Sequence, residues 1–356
     1  WGYISPFVKY EKYTFYDKPD RVPRPIQPRS IEYRAHLACY MKPLETDMKT
    51  LVLPGQLYPF MAKGLDSGGL ADLFIKKWEC FGAPVVVCLD QTKFDGHITR
   101  YLKALENIVY RGMSDNPDFH AMLDVQELMY ATVLVGQGRD KSKGSMLGGR
   151  CSGDPQTGCG NTLLASLLST VVFEGIRIEV YSNGDDINIV CESSDLEELR
   201  SRIIPGFAVF GLECREESEP IYELSEVFWC QCYLTPTVAG WKWIREPRRV
   251  LNTLFANSEY TNKNWRKYLK GIAQCENVCN PDQPIVGPVC HAIMQMNVRA
   301  QRIKYRDVGA YRRAALEKGS KIKYSPAGCA DVTPASRDLF ELRYGVSAVE
   351  QVRLEK

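Results

Sequence analysis

The sequence predicts an α+β fold in which helices and strands follow one another in mixed order, without the regular strand–helix alternation of a doubly wound sheet. Three stretches carry that expectation. "PVVVCLD" at 84–90 is a β-branched run entered after a proline, the pattern of a buried strand. "TLLASLLSTVVF" at 162–173 continues an apolar helical pattern opened by good helix-start residues. "YSNGDDINIV" at 181–190 sets apolar residues on both sides of a turn signal, Asn183-Gly184, as in a tight hairpin.

With 356 residues, 45% of them apolar and 25% charged, the chain can build a large core or several lobes and is not a disordered polyampholyte. Its 45 basic and 43 acidic side chains leave a net charge of +2, so any nucleic-acid channel must come from local clustering. Thirteen scattered cysteines are unlike a secreted disulfide framework and predict a reducing compartment. Cys275, Cys279, Cys290 and His291 have a loose zinc-compatible spacing, which buried free thiols match equally well. The apolar run at 162–173 is too short to span a bilayer. The sequence opens on Trp1 with neither a methionine nor a positive-then-apolar leader. A fragment or cleaved product is therefore expected, without a signal peptide, any membrane anchor lying upstream.

Taken in order, residues 1–34 are basic, with prolines at 19, 23, 25 and 28, and predict an extended, strand-like arm. The strand at 84–90 ends on Asp90. "ITRYLKALENIVYRG" (98–112) reads as a helix stopped by Gly112. "ATVLVGQGRDKSKGSMLGG" reads as a hairpin with a basic, glycine-rich tip. The next helix is expected to start with Asp154 as N-cap and Pro155 as first helical residue. After the Gly184-Asp185-Asp186 hairpin come an acidic stretch (193–219), a β-rich patch "VFWCQCYLTP" and a helix-rich final hundred residues. Within these, 299–323 is strongly basic, either a grip on duplex phosphates or a solvated helix face.

Asp185 and Asp186 stand side by side, where their charges repel. A lone pair of this kind is usually a solvated turn. Here a second pair, Asp90 and Asp95, lies at the end of the 84–90 strand, which aims its last side chain out of the sheet. Carboxylates from separate strands can hold two divalent cations about 3.5–4 Å apart for phosphoryl transfer, and Mg²⁺ would relieve the repulsion. Thr157 and Asn161, four apart, share a helix face, and Ser152 and Gly153 sit in the loop before it. With Asp95 these groups suit recognition of a ribose 2′-OH, although helix-start polarity alone accounts for Thr157 and Asn161. Arg21 and Arg24 on the arm suit bidentate binding of a triphosphate. Each element is weak alone. The sequence of all four, basic arm, DxxxxD, SGxxxTxxxN and GDD, is not a chance pattern.

That order resembles the palm of positive-strand viral RNA-dependent RNA polymerases, and within them the tombusvirus-like group. "FVKYEKYTFYDKPDRVPRPIQPRSIEY" is similar to the family's basic entry motif, and "MAKGLDSGGLADLFIKKWECFGAPVVVCLDQTKFDGHIT" is similar along its whole length. "EPIYELSEVFWCQCYLTP" resembles the segment ending in a Cys-Gln turn near the primer grip, and "ASRDLFELRYGVSAVEQ" the thumb end. The resemblance implies a right-hand polymerase of fingers, palm and thumb, with an antiparallel palm sheet flanked by helices. Its segments would be 1–83 (partial fingers), 84–115 (palm), 116–147 (a fingers insertion), 148–250 (palm) and 251–356 (thumb). The usual N-terminal fingers would be missing. It further implies template-directed RNA synthesis from ribonucleoside triphosphates, replicating a positive-strand genome. Asp90 and Asp185 would be the principal metal ligands, supported by Asp186, with Mg²⁺ as cofactor and Mn²⁺ able to substitute. Asp95, Ser152, Gly153, Thr157 and Asn161 would read the ribose, and Lys9, Glu11, Arg21 and Arg24 would line the nucleotide tunnel. Partners would be template and nascent RNA, other viral replication proteins and, through residues absent here, host membranes, placing the protein in cytoplasmic, membrane-associated replication complexes.

Two positions depart from the family pattern. Gln91 stands where glycine or alanine is frequent, a harmless change. Arg215 in "GLECREESEP" stands where a lysine is thought to protonate the departing pyrophosphate. Arginine holds its proton too tightly for that role, so Arg215 is expected to act electrostatically or the general acid stays unassigned. A reverse transcriptase is disfavoured by GDD together with Asn161 and by Asp95 where a bulky gate is usual. A non-catalytic RNA-binding scaffold on a decayed polymerase fold is disfavoured because the metal aspartates are all present.

Overall fold

The computed structural model describes residues 2–9, 23–135, 142–237, 240–255, 265–280, 282–297 and 332–356. The tip of the 130–147 hairpin and the basic 299–323 stretch, both singled out above, lie outside them. Two compact units emerge. The first comprises Trp1–Tyr10, Val22–Lys63 and Leu73–Glu223, the second Glu11–Arg21, Gly64–Asp72 and Leu224–Lys356. This break at 223/224 puts the 228–245 strands with the C-terminal helices, whereas the sequence division assigned them to the segment ending at 250.

Through the first unit the elements run β1 (Tyr3–Ile4), β2 (Phe7–Val8), β3 (Pro25–Ile26), α1 (Ile31–Met48), α2 (Ser67–Trp78, which enters it partway), β4 (Pro84–Gln91), α3 (Phe94–His97), α4 (Arg100–Met113) and α5 (Pro117–Leu128). They continue with β5 (Tyr130–Val135), β6 (Ser142–Leu147), α6 (Thr157–Val172), β7 (Ile178–Asn183), β8 (Asp186–Glu192), α7 (Leu196–Ala208) and β9 (Cys214–Glu216). Of the arm expected over 1–34, the described residues 2–9 and 23–30 are extended, with β2 paired to β3. Ser30 accepts a hydrogen bond from the Tyr33 amide and caps α1, so helix replaces the arm from Ile31. Likewise α4 is capped by Thr99 and runs through Gly112 to Met113. A glycine stops a helix only where the chain needs a left-handed residue, and Gly112 is not among the positive-φ residues.

The central sheet is antiparallel with order β7-β8-β4-β9. Its registers include Leu89↔Ile187 between β4 and β8 and Asp90↔Arg215 between β4 and β9. Side chains alternate between the two faces of a strand. Val85, Val87 and Leu89 of β4 join Ile187, Ile189 and Cys191 of β8, Ile178 and Val180 of β7 and Cys214 of β9 in the main core. That core also takes Tyr33, Leu37 and Met41 from α1, Leu163, Leu164 and Leu168 from α6 and Leu199, Ile203 and Phe207 from α7. Each fully buried aliphatic side chain contributes roughly 1.5–3 kcal/mol, so this face fixes the sheet register. By the same alternation, Asp90, Asp186 and Arg215 emerge on the opposite face.

The second unit holds an antiparallel sheet of β10 (Phe228–Trp229), β11 (Cys232–Thr237) and β12 (Gly240–Arg245), followed by α8 (Pro247–Leu254), α9 (Trp265–Cys279), α10 (Val286–Met296), α11 (Pro334–Tyr344) and α12 (Ala348–Glu355). Cys230 and Gln231, the Cys-Gln turn, have φ of 48° and 63°, the pattern of a type I′ loop built without glycine. Cys275, Cys279 and Cys290 are buried, with Cys290 packed in the apolar core of α8, α9 and α10. Among the described residues no three His, Cys, Asp or Glu side chains gather as a metal cage, so the zinc-compatible spacing is not assembled as a site. No described helix is long and apolar enough to cross a membrane.

Candidate active site

The GDD hairpin is closed by the pair Asn183↔Asp186, leaving Gly184 and Asp185 as a two-residue loop. The turn thus lies one residue later than the Asn-Gly signal suggests. Gly184 has φ of 75° and Asp185 has no positive φ, the requirement of a type II′ loop with glycine first. Asp185 therefore stands at the apex while Asp186 opens β8, so the two adjacent acids have different backbone environments. Solvent reaches the Asp185 side chain, yet surrounding protein displaces enough water to raise its carboxyl pKa. A backbone hydrogen bond opposes the rise, Asp186 and Asp95 reinforce it, and Arg24 opposes it weakly. The same balance puts Asp95, Asp186 and Arg24 within electrostatic reach of Asp185.

Asp90 sits one residue past the Leu89↔Ile187 pair, next to the start of β8 and on the sheet face that carries Asp186. Its neighbour across β9 is Arg215, whose Nη2 donates to Asp90 Oδ2 at 2.9 Å. Oxygen donors at one end of the sheet, with Asp185 desolvated and near the like charges of Asp186 and Asp95, suit a hard divalent cation. Mg²⁺ takes one or two carboxylates and completes its shell with water and substrate phosphate. Asp90, Asp185 and Asp186 are the side chains that would hold it. They do not form a closed three-carboxylate cage, and Mg²⁺ does not need one.

Asp95 lies in the first turn of α3 and is reached by Asn161 from α6, whose Nδ2 donates to Asp95 Oδ1 at 2.6 Å across 66 residues. Asn161 is buried, and its Oδ1 has no hydrogen-bond partner. The loop before α6 differs from expectation. The helix begins at Thr157 and its N-cap position is Gln156, not Asp154. Asp154 is buried against Arg29, accepting from the Arg29 amide and forming an ion pair with its Nε, both at 3.2 Å. A buried guanidinium must have an anion, and that need overrides capping.

Thr157 Oγ1 donates to Cys151 O at 3.0 Å, and Ser152 Oγ accepts from the Gln27 amide at 3.2 Å. Ser152 O also accepts from Gln27 N at 2.9 Å, so the arm is zipped to this loop. Gly153 lies in the same loop, facing Ile26 and Pro28 of the arm. Lys9 and Arg24 are exposed, and Lys9 N donates to Arg24 O at 2.8 Å. Glu11 and Arg21 lie outside the described residues.

Sequence reading missed the buried support under the loop. Glu106 on α4 accepts from Lys103 at 2.8 Å and from both Nη atoms of Arg150, all three side chains being fully buried. Burial alone would raise the Glu106 carboxyl; Arg150 first and Lys103 second override it and hold it at about 2. Burial and the like charge of Arg150 bring Lys103 down to about 8, against the pull of Glu106. Only an excess of charges in an apolar helical pattern could have hinted at this cluster. Thr162, next to Asn161, was also passed over as one more residue of an apolar run.

Comparisons with known proteins agree over the whole chain. A family model described as viral RNA dependent RNA polymerase matches residues 2–356. The RNA-directed RNA polymerase of groundnut rosette virus is 33% identical over 278 residues, which is 76% of this chain and 32% of that protein. Those of turnip crinkle virus and oat chlorotic stunt virus are 28% and 29% identical over 99% of this chain, covering 45% and 48% of their own lengths. The chain thus spans between a third and a half of the relatives it matches.

Proposed function

Since the chain belongs to the viral RNA-dependent RNA polymerase family, we propose that it catalyses template-directed addition of ribonucleotides to RNA and that it has the right-hand polymerase fold of that family. The observation that carries this reading is the Asn161–Asp95 hydrogen bond beside Asp185. It joins a sugar-reading pair to the carboxylates that would hold metal, and a nucleoside triphosphate needs both at one place.

In the reaction the 3′-hydroxyl of the growing RNA attacks the α-phosphorus of the incoming nucleotide. A new P–O bond forms, the hydroxyl proton passes to water, and the bond to pyrophosphate breaks. When bound, Mg²⁺, with Mn²⁺ as substitute, would supply Lewis-acid stabilisation of the charge that develops in this transfer. Asp90 and Asp185 are the carboxylates that would hold the cations, with Asp186 in support. Asn161 and Asp95, hydrogen-bonded to each other, read the 2′-hydroxyl, while Ser152, Gly153 and Thr157 brace the wall of the sugar pocket. Lys9 and Arg24 line the triphosphate's approach. Arg215 moderates the charge of Asp90 and faces the departing pyrophosphate as a fixed cation, the proton coming from another group. Replication of a positive-strand genome, in cytoplasmic membrane-associated complexes with other viral proteins, belongs to the same reading.

The test is incorporation of labelled ribonucleotides on an RNA template by the full-length protein with Mg²⁺ or Mn²⁺, compared with Asp185→Ala. Incorporation abolished by the substitution supports the reading. Incorporation that survives it, or none by either protein, overturns it.

A further inference from the structure

Helix α6 touches the site twice, through consecutive residues. Asn161 reaches Asp95, and Thr162, fully buried, reaches the GDD turn. The Gly184 amide donates to Thr162 Oγ1 at 2.7 Å, and that hydroxyl donates its own proton to Gly158 O, also at 2.7 Å. A threonine hydroxyl has one proton and two lone pairs. With the proton directed back to the preceding turn of α6, a lone pair is left facing Gly184. Back-bonding of threonine to the carbonyl four residues earlier is common and carries no functional message by itself. The second bond is different, because it leaves the helix and ends on the loop that carries Asp185.

Gly184 is the first of the two loop residues, outside the Asn183↔Asp186 pair that closes the β7–β8 ladder. Its amide is bound from α6 instead. That bond fixes the Asn183–Gly184 peptide and so ties the loop that carries Asp185 to α6.

We propose that Thr162 is a positioning residue for the metal-binding turn. It locks the Gly184–Asp185 loop to α6, so that one helix sets the spacing between the sugar-reading pair and the metal carboxylates. Its consequence for turnover rests on the polymerase reading above; its consequence for the turn does not. The hydroxyl touches no reacting atom and acts through Gly184.

The experiment uses Thr162→Val, which keeps the shape and removes the hydroxyl, and Thr162→Ser, which keeps the hydroxyl, both in the full-length protein. Hydrogen exchange at the Gly184 amide, Mn²⁺ affinity by equilibrium titration, and nucleotide incorporation are measured. The amide is slow to exchange in wild type. In the valine variant it exchanges roughly 3- to 10-fold faster, the worth of one lost hydrogen bond. Mn²⁺ binds several-fold more weakly, and kcat falls by about 10²-fold, as a small misplacement of a catalytic group produces. Serine restores all three. Wild-type exchange as fast as an open turn overturns the proposal without any variant, and so does a valine variant with unchanged exchange and Mn²⁺ affinity. A wild-type protein that incorporates no nucleotide, with exchange and Mn²⁺ affinity behaving as stated, overturns the polymerase reading and leaves the anchor standing.

Discussion

Arg215 on β9 donates from both Nε and Nη2 to one oxygen of Asp90 on β4, at 3.2 and 2.9 Å. The two residues are directly paired in the ladder, so strand register and not loop chance brings them together. Both side chains are substantially exposed, at 70% and 40%. An exposed ion pair contributes about 0–1 kcal/mol to stability, and this one lies on a side chain proposed to bind metal. Arg215→Ala is therefore expected to leave the urea midpoint nearly unchanged while lowering nucleotide incorporation roughly 10-fold, about 1.4 kcal/mol of lost charge stabilisation. A destabilisation of several kcal/mol with normal turnover contradicts this assignment.

Asn161 links Asp95 to α6, the helix proposed to read the sugar. Replacing it with alanine removes one hydrogen bond to a carboxylate and the free Oδ1. Discrimination between ribo- and deoxyribonucleotides, measured as the ratio of kcat/KM values, should fall roughly 10- to 100-fold, as loss of a charge-assisted bond predicts. Unchanged discrimination would remove Asn161 from ribose recognition.

Glu106 makes a pH prediction whose sign is fixed. Its carboxyl is lowered in the folded protein from 4.5 to about 2. A depressed carboxylate contributes stability that is fully present above the unfolded value and is lost as pH falls from 4.5 towards 2. Glu106→Gln leaves Arg150 and Lys103 buried without their anion and should cost about 3–5 kcal/mol at pH 7. Denaturant titrations at pH 7 and pH 3 test it: the wild-type–variant gap should narrow at the lower pH.

Gly160 lies on α6 between Asn161 and Cys159, where a Cβ would overlap the Glu106 carboxylate and come within 2.7 Å of Arg150 Nη2. In an open helix, glycine to alanine gains about 1 kcal/mol. Here the steric conflict with a rigid buried ion cluster should reverse the sign, for a net loss of about 1–3 kcal/mol. The urea midpoint of Gly160→Ala decides between the two.

Much of the site was legible because its chemistry is local. Asp90 closes a β-branched run after proline, and the strand is observed at Pro84–Gln91. The GDD turn was marked by its flanking apolar residues, and the spacing from Thr157 to Asn161 marked a helix face. The misses share a cause. Asp154 looks like an N-cap until Arg29, 125 residues away, occupies its carboxylate. Gly112 looks like a stop where the helix has no use for one, and Ser30 ends the arm because its hydroxyl caps α1.

By itself, then, the sequence determined the strands, the helices and which carboxylates stand at their ends, since period, capping residues and turn residues are properties of neighbours along the chain. Only the tertiary structure decided which of these ends meet. Asp90 faces Arg215, Asn161 finds Asp95, and Gly184 rests on Thr162 because sheet register and the packing of α6 select those pairs. The buried cluster of Lys103, Glu106 and Arg150 holds the α6 end of that arrangement. A charge can stay in an apolar core only when folding brings its counter-charge to it, and no local pattern records where along the chain that partner lies.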